Sequence, residues 1–225
     1  YIWDFDTNSA PVLVDIKKNG QTIPALVQST KQGFLFVLDR RTGAPVYPVT
    51  EKPVPRSDIP GEADSPTQPY VLNPQPVTPA KWNGVFWLAD LMSGGQCSRM
   101  MKKLRYDGRF TPPSLQGSLE YPGTTGGVEW GGGAVDPVHQ LYIVNNSYTA
   151  QIYQLIPRKE YEKKTTGMSH QEAADYSAQS GTPFGVYVHN FFNWLNMACW
   201  APPYGSMSAY DLKTDKLVWK KPFGQ

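Results

Sequence analysis

Trp3-Asp4-Phe5-Asp6 sets two carboxylates two residues apart on an extended segment, so both project to one side between large aromatics. Carboxylates so paired raise one another's pKa or recruit a cation, which suits a general base or a hard-metal site at Asp4 and Asp6. The same four residues also read as an exposed acidic turn. Lys31 stands just before a strongly apolar strand, 33–39. Its ammonium either snorkels to water or is aimed at an anion inside the fold. His139, His170 and His189 lie far apart without metal-ligand spacing and read as solvated or structural. Asp39, Asp136 and Asp211 fall in turn sequences, where an Asp side chain caps its own backbone. The chain contains no Gly-rich phosphate loop, HExxH, CxxC or nucleophile elbow. Cys97 and Cys199 form one disulfide in an oxidising compartment or remain two buried thiols, and their spacing leaves both open.

Elements that could position these groups are short and β-rich. Among 225 residues, 13% are aromatic and 18% charged, with 20 Gly and 21 Pro. Such a chain is too apolar for disorder and too punctuated for a helical bundle, leaving an all-β class with large loops. A net charge of +2 argues against nucleic-acid binding. No apolar run is long enough to span a membrane. The opening at Tyr1, without an initiator Met or apolar leader, is that expected of a segment of a longer polypeptide. Apolar runs at 11–16 and 22–27 flank Asn19-Gly20, a strong hairpin signal. With 33–39 and 45–47 they give four antiparallel strands, the content of one propeller blade. Val37-x-Asp39-x-x-Thr42-x-x-x-Val46-Tyr47 recurs as Ala209-x-Asp211-x-x-Thr214-x-x-x-Val218-Trp219. The separation suits a repeat of about 40 to 45 residues. A further β-β unit reads at 133–137 and 140–144. Between the units, 45–79 holds ten prolines and reads as an extended loop. Residues 98–105 read as one short amphipathic helix with Met101, Leu104 and Cys97 on its apolar side, and 157–182 as an exposed polar loop.

Several segments carry a family resemblance: Trp3-Asp4-Phe5-Asp6, Thr30-Lys31-Gln32-Gly33-Phe34-Leu35-Phe36-Val37-Leu38-Asp39, Phe110-Thr111-Pro112-Pro113-Ser114-Leu115, Glu129-Trp130-Gly131-Gly132 and Leu155-Ile156-Pro157-Arg158. In order and spacing they resemble the membrane-bound quinoprotein dehydrogenases of the glucose, quinate and shikimate type, which use pyrroloquinoline quinone (PQQ). The resemblance implies a partial eight-bladed β-propeller with long loop insertions. Residues 1–49 would form a blade carrying the catalytic Asp motif, 50–110 a Pro-rich insertion with a short helix, and 111–225 further blades.

The resemblance also implies residue roles. Asp4 matches the catalytic aspartate, Lys31 the lysine that hydrogen-bonds the quinone carbonyls, and Asn145 an asparagine beside the cofactor. Asp4 and Asp6 would face the metal, Ca2+ or Mg2+. The implied activity is oxidation of glucose at C1 to the lactone, with hydride to PQQ and electrons on to ubiquinone. Quinate, shikimate or another polyol is the alternative substrate, and a non-catalytic propeller scaffold for protein binding the alternative class. The implied location is the periplasmic side of the bacterial inner membrane, anchored by segments outside this chain. The isolated chain would be inactive, because other blades carry further cofactor contacts.

Overall fold

In the computed structural model, which describes residues 2–224, thirteen strands and three short helices build two four-stranded sheets, one three-stranded sheet and a separate hairpin. Strands β1 (Val12–Lys18) and β2 (Gln21–Ser29) pair antiparallel from Val12↔Val27 to Lys18↔Gln21. Asn19 and Gly20 take φ of 52° and 76°, the positive values of a two-residue turn matched to strand twist. Strand β3 (Leu35–Asp39) completes the sheet, and 45–47 adds only a bridge between Leu38 and Pro45 rather than a fourth strand. Alternation sends Val14, Ile16, Ala25, Val27, Leu35 and Val37 to one face.

That face packs on the sheet β7 (Gly133–Asp136), β8 (Leu141–Ser147), β12 (Gly205–Asp211) and β13 (Lys216–Phe223), which contributes Tyr142, Val144, Tyr210 and Leu212 to one shared core. Gln140 fastens the two sheets, donating to the Asp15 carbonyl and accepting from the Lys17 N–H. Tyr47 adds a hydroxyl bond to the Leu212 carbonyl. The recurring turn motif therefore marks two sheets that lie against each other. Its aspartates cap as expected, Asp39 accepting from the Arg41 N–H and Asp211 from the Lys213 N–H.

The last sheet contains β6 (Ser118–Glu120), β9 (Gln151–Pro157), β10 (Tyr176–Ser177) and β11 (Phe184–Asn190). Chain order and sheet order diverge here. After β8 the chain passes into the neighbouring sheet for β9 to β11 and returns for β12 and β13.

Three loop expectations are corrected. The proline-rich stretch holds a hairpin, β4 (Val49–Pro53) with β5 (Thr67–Val71), because Val71 and Val54 bury against Phe34 and Phe110. Instead of one helix over 98–105 there are two, α1 (Trp87–Met92) and α2 (Gln96–Met101), separated by Gly94-Gly95 in left-handed conformation. Residues 157–182 are not all loop. Arg158–Thr165 forms α3, since Tyr161 reaches the sheet among otherwise polar neighbours and Gly185 leaves room for its ring.

Cys97 and Cys199 are joined in a disulfide across 102 residues. It lies in a core with Leu119, Tyr148, Phe191 and Trp200, and Met101 at the end of α2 and Leu104 in the turn beyond it pack against that core.

Candidate functional site

The conformation of Trp3-Asp4-Phe5-Asp6 follows from its aromatics. Trp3 and Phe5 are both buried against Phe110, at ring distances of 5.4 and 5.9 Å, and the Trp3 indole N–H donates to the Phe110 carbonyl at 2.9 Å. With these two side chains committed to the core, Asp4 and Asp6 are turned outward together. Asp4 takes a left-handed φ of 54°, rare for a residue with a Cβ and common where a site holds its backbone in place.

Lys31 meets them. Its ammonium lies 2.6 Å from Asp6 Oδ1 and 3.6 Å from Asp4 Oδ2, and it donates to the Asp4 carbonyl at 3.2 Å. The lysine side chain is 10% exposed, the Asp4 side chain 59%. Burial pulls the Lys31 pKa down, but the bond to Asp6 and the charges of Asp4, Asp6 and Glu129 outweigh it, for a net rise. The Lys31 bond holds the Asp6 carboxyl below its usual value, against a smaller opposing effect of burial. Lys31 is thus a fixed cation at the rim of the fold, with Asp4 and Asp6 both exposed beside it.

Backbone packing fixes the lysine from beneath. Gly127 N–H donates to the Lys31 carbonyl at 2.7 Å. Gly126 has φ of 78°, and a Cβ there would sit 2.5 Å from Lys31 Cγ, so only glycine lets the two segments close. Gln32 donates to the Phe5 carbonyl at 3.1 Å, and its own carbonyl accepts from Thr78 and Arg109. Arg109 is buried without a carboxylate partner among the described residues, stacks over Phe34 at 5.0 Å, and is lowered by that burial to about 10. Neither Arg109 nor the glycine pair stood out in the sequence as part of a site.

Asn145 is placed differently. It is exposed on β8 opposite Met207, and its link to Lys31 is indirect: the Gly127 carbonyl that follows the Lys31 contact accepts from Ser147 N–H at 2.8 Å. Asp4, Asp6 and Lys31 therefore converge, while Asn145 lies two residues from the same backbone relay.

Asp4 opens onto a cleft of about 330 Å³ lined also by Ile2, Thr124, Tyr153, Ser177, Gln179, Val186 and Val188. Behind it stands Glu120, 2% exposed, with neither carboxyl oxygen hydrogen-bonded among the described residues. Burial, and to a lesser extent the Asp4 charge, push its pKa well up. Its only signal in the sequence is a glutamate set between Leu119 and Tyr121, at the end of β6. Histidine chemistry stays outside: His139 bonds Asp136 at 2.6 Å and His189 bonds Asp175 at 2.8 Å, both away from Lys31.

A fixed cation such as Lys31 on its glycine cradle would suit the carbonyl oxygens of a quinone. A divalent ion fits less completely. Among the described residues no three His, Cys, Asp or Glu side chains converge, and Asp6 is occupied by Lys31. A metal at Asp4 would require donors from beyond these residues.

Comparison with known proteins places the chain. Residues 1–225 match the family model for the PQQ glucose/ethanol/alcohol dehydrogenase β-propeller domain. The quinoprotein glucose dehydrogenase of Gluconobacter oxydans is 40% identical over 97% of this chain and 28% of its own length. The Escherichia coli enzyme of the same name is 38% identical over 99% of the chain and 28% of its own length. The quinate/shikimate dehydrogenase (quinone) of Acinetobacter baylyi gives 38% over 99% and 28%. The chain spans a little over a quarter of these relatives. In backbone it resembles a europium-containing methanol dehydrogenase, with a TM-score of 0.52 at 18% identity, covering 99% of this chain and 29% of that one.

Proposed function

The chain belongs to the PQQ-dependent glucose/ethanol/alcohol dehydrogenase propeller family, and from that premise we propose that it supplies the catalytic-base corner of a sugar or polyol dehydrogenase. The observation that carries this reading is the Lys31 ammonium clamped between Asp4 and Asp6 at the mouth of the cleft. Asp4, accessible and beside the cleft, is the group that takes the hydroxyl proton of the substrate. Lys31 would hold a quinone carbonyl oxygen by a charge-assisted hydrogen bond. Asn145 would stand beside the same group on β8. When bound, PQQ supplies a two-electron acceptor for the hydride leaving the carbinol carbon. Lys31 also keeps Asp6 ionised, so the Asp6–Lys31 pair stays charged and the corner goes from net negative to neutral when Asp4 is protonated.

Glucose oxidised at C1 to the lactone is the substrate we favour, since both glucose-named relatives cited above align along nearly the whole chain. Quinate or shikimate is the second reading, supported by the equally extensive match to an enzyme so named. Ca2+ or Mg2+ at Asp4, ubiquinone as acceptor and a periplasmic, membrane-anchored setting belong to the same proposal. The test is made on the full-length protein, with PQQ binding followed by absorbance and turnover by dye reduction over glucose, quinate, shikimate and glycerol. Lys31→Ala should weaken PQQ binding and turnover together. Unchanged PQQ affinity would remove Lys31 from the cofactor, and quinate outpacing glucose would replace the favoured substrate.

A further inference from the structure

The cleft in front of Asp4 has a wall that the chemistry proposed above leaves unused, and strand register decides which residues form it. In the sheet of β10, β11, β9 and β6, Val186 lies opposite Ser177, Tyr153 lies opposite Val188 and Ser118, and Gln151 lies opposite Asn190 and Glu120. Residues opposite one another in neighbouring strands project to the same side, as do residues two apart along one strand. One face therefore carries Ser177, Val186, Val188, Tyr153 and, one row further on, Glu120. The first four of these line the cleft together with Asp4.

Tyr153 stands apart from the other polar groups of that lining. The Gln179 side chain donates to the Ser177 hydroxyl at 3.3 Å, and the Thr124 hydroxyl donates to Gln151 Oε1 at 3.0 Å. Asp4 is held by the Lys31 ammonium. Among the described residues the Tyr153 hydroxyl has no hydrogen-bond partner. Burial raises its pKa, and Glu120 and Asp4 raise it further, so the phenol keeps its proton and remains a donor.

Charge narrows the class of ligand. No lysine or arginine is among the residues that line the cleft, and Lys31 beside it is paired with Asp6. Glu120, buried on the same face with neither carboxyl oxygen hydrogen-bonded among the described residues, is pushed toward its neutral form. A carboxylate or phosphate entering here would meet the Asp4 charge with no cation to offset it. Val186 and Val188 offer apolar surface on either side of the phenol's row, which suits the C–H face of a molecule whose polar groups are hydroxyls.

We propose that Tyr153 is a specificity-determining residue, its hydroxyl donating to a hydroxyl oxygen of an uncharged polyol whose reacting carbinol lies at Asp4. This rests on the dehydrogenase reading above and assigns to β9 the choice among polyols. A site built to hydrogen-bond a substrate hydroxyl discriminates against the analogue that lacks it.

The test measures kcat and KM of the full-length, PQQ-loaded protein by dye reduction, for glucose and each monodeoxyglucose, in the parent and in Tyr153→Phe. Phenylalanine keeps the ring, so folding is spared. For glucose the variant should raise KM about two- to tenfold with a smaller change in kcat. One monodeoxy sugar should show that same rise with the parent and no further rise with the variant, the mark of a direct pair. The C1-deoxy sugar has no hydroxyl to oxidise at that carbon, and its Kd by calorimetry should weaken by the same factor in the variant. Deoxy penalties identical in the two proteins at every position would overturn the role of Tyr153 and leave the dehydrogenase reading standing. A parent that prefers ionised quinate to glucose would overturn the uncharged class. A parent that oxidises no polyol would overturn the dehydrogenase reading, and this inference with it.

Discussion

The corner around Lys31 and the insert around Cys97 both hold irregular chain in one place, by opposite means. At Lys31 the fixing groups are polar: backbone N–H groups, a buried guanidinium and two carboxylates, packed so closely that a single Cβ at Gly126 would collide. At Cys97 they are one covalent bond and a shell of aromatic and sulfur side chains. Polar fixing is directional and sets the position of a charge within fractions of an ångström. Covalent and apolar fixing sets only which segments stay together, which leaves the outer face of the insert free in composition.

The sharpest break in this contrast comes from Asp4→Asn in the full-length enzyme. Loss of a positioned base should lower turnover by about 10² to 10⁴ with PQQ binding kept, whereas no insert substitution should approach that loss in dye-reduction assays. Next in size is the insert's own failure. A Cys97→Ser/Cys199→Ser variant should lose roughly 2 to 5 kcal/mol of stability by chemical denaturation, since the bond closes a loop of 102 residues. Its kcat should be unchanged at temperatures where it remains folded, and a matching fall in kcat would erase the distinction between the two regions.

Gly126→Ala should act in between, costing about 1 to 3 kcal/mol through positive φ and crowding together. Its signature is a weakened affinity for PQQ out of proportion to the lost stability, because the displaced atoms are those of Lys31. The smallest effect concerns Glu120. Its carboxyl is raised in the folded chain, so the native state is favoured below its unfolded pKa and that advantage is lost as pH rises toward the folded value. Glu120→Gln removes this dependence, and its melting temperature should exceed that of the parent by a margin that grows as pH rises above the unfolded pKa. A constant difference from pH 5 to 8 would mean that Glu120 is already ionised in the fold.

Legibility in the sequence followed the range of the interactions. Asn19-Gly20 and its flanking runs marked the first hairpin because turn and strands are adjacent in the chain. Asp4, Asp6 and Lys31 were legible as types, and the outward turn of both carboxylates followed from alternation with Trp3 and Phe5. Their meeting required Lys31 to come across 27 residues, which residue spacing alone does not specify. Arg109 and Gly126 were illegible for the same reason, since what they touch is set by tertiary packing. Helix α3 was hidden by its polar composition, with Tyr161 as its main apolar anchor. Helix α1 was hidden by the reverse, an apolar face left uncovered.

The interleaving of the two four-stranded sheets bears on how a ribosome delivers this chain. Strands β7 and β8 emerge early, yet their partner β12 is not synthesised until the whole of β9, β10 and β11 has followed. One sheet is completed in the middle of the other, so β7 and β8 wait for β12 while the sheet of β6, β9, β10 and β11 already has all its strands. Residues of β8 and β12 can protect each other's amides only once β12 has been made, and a nascent chain halted after Asn190 would present β8 with an open edge to whatever binds strands in its compartment.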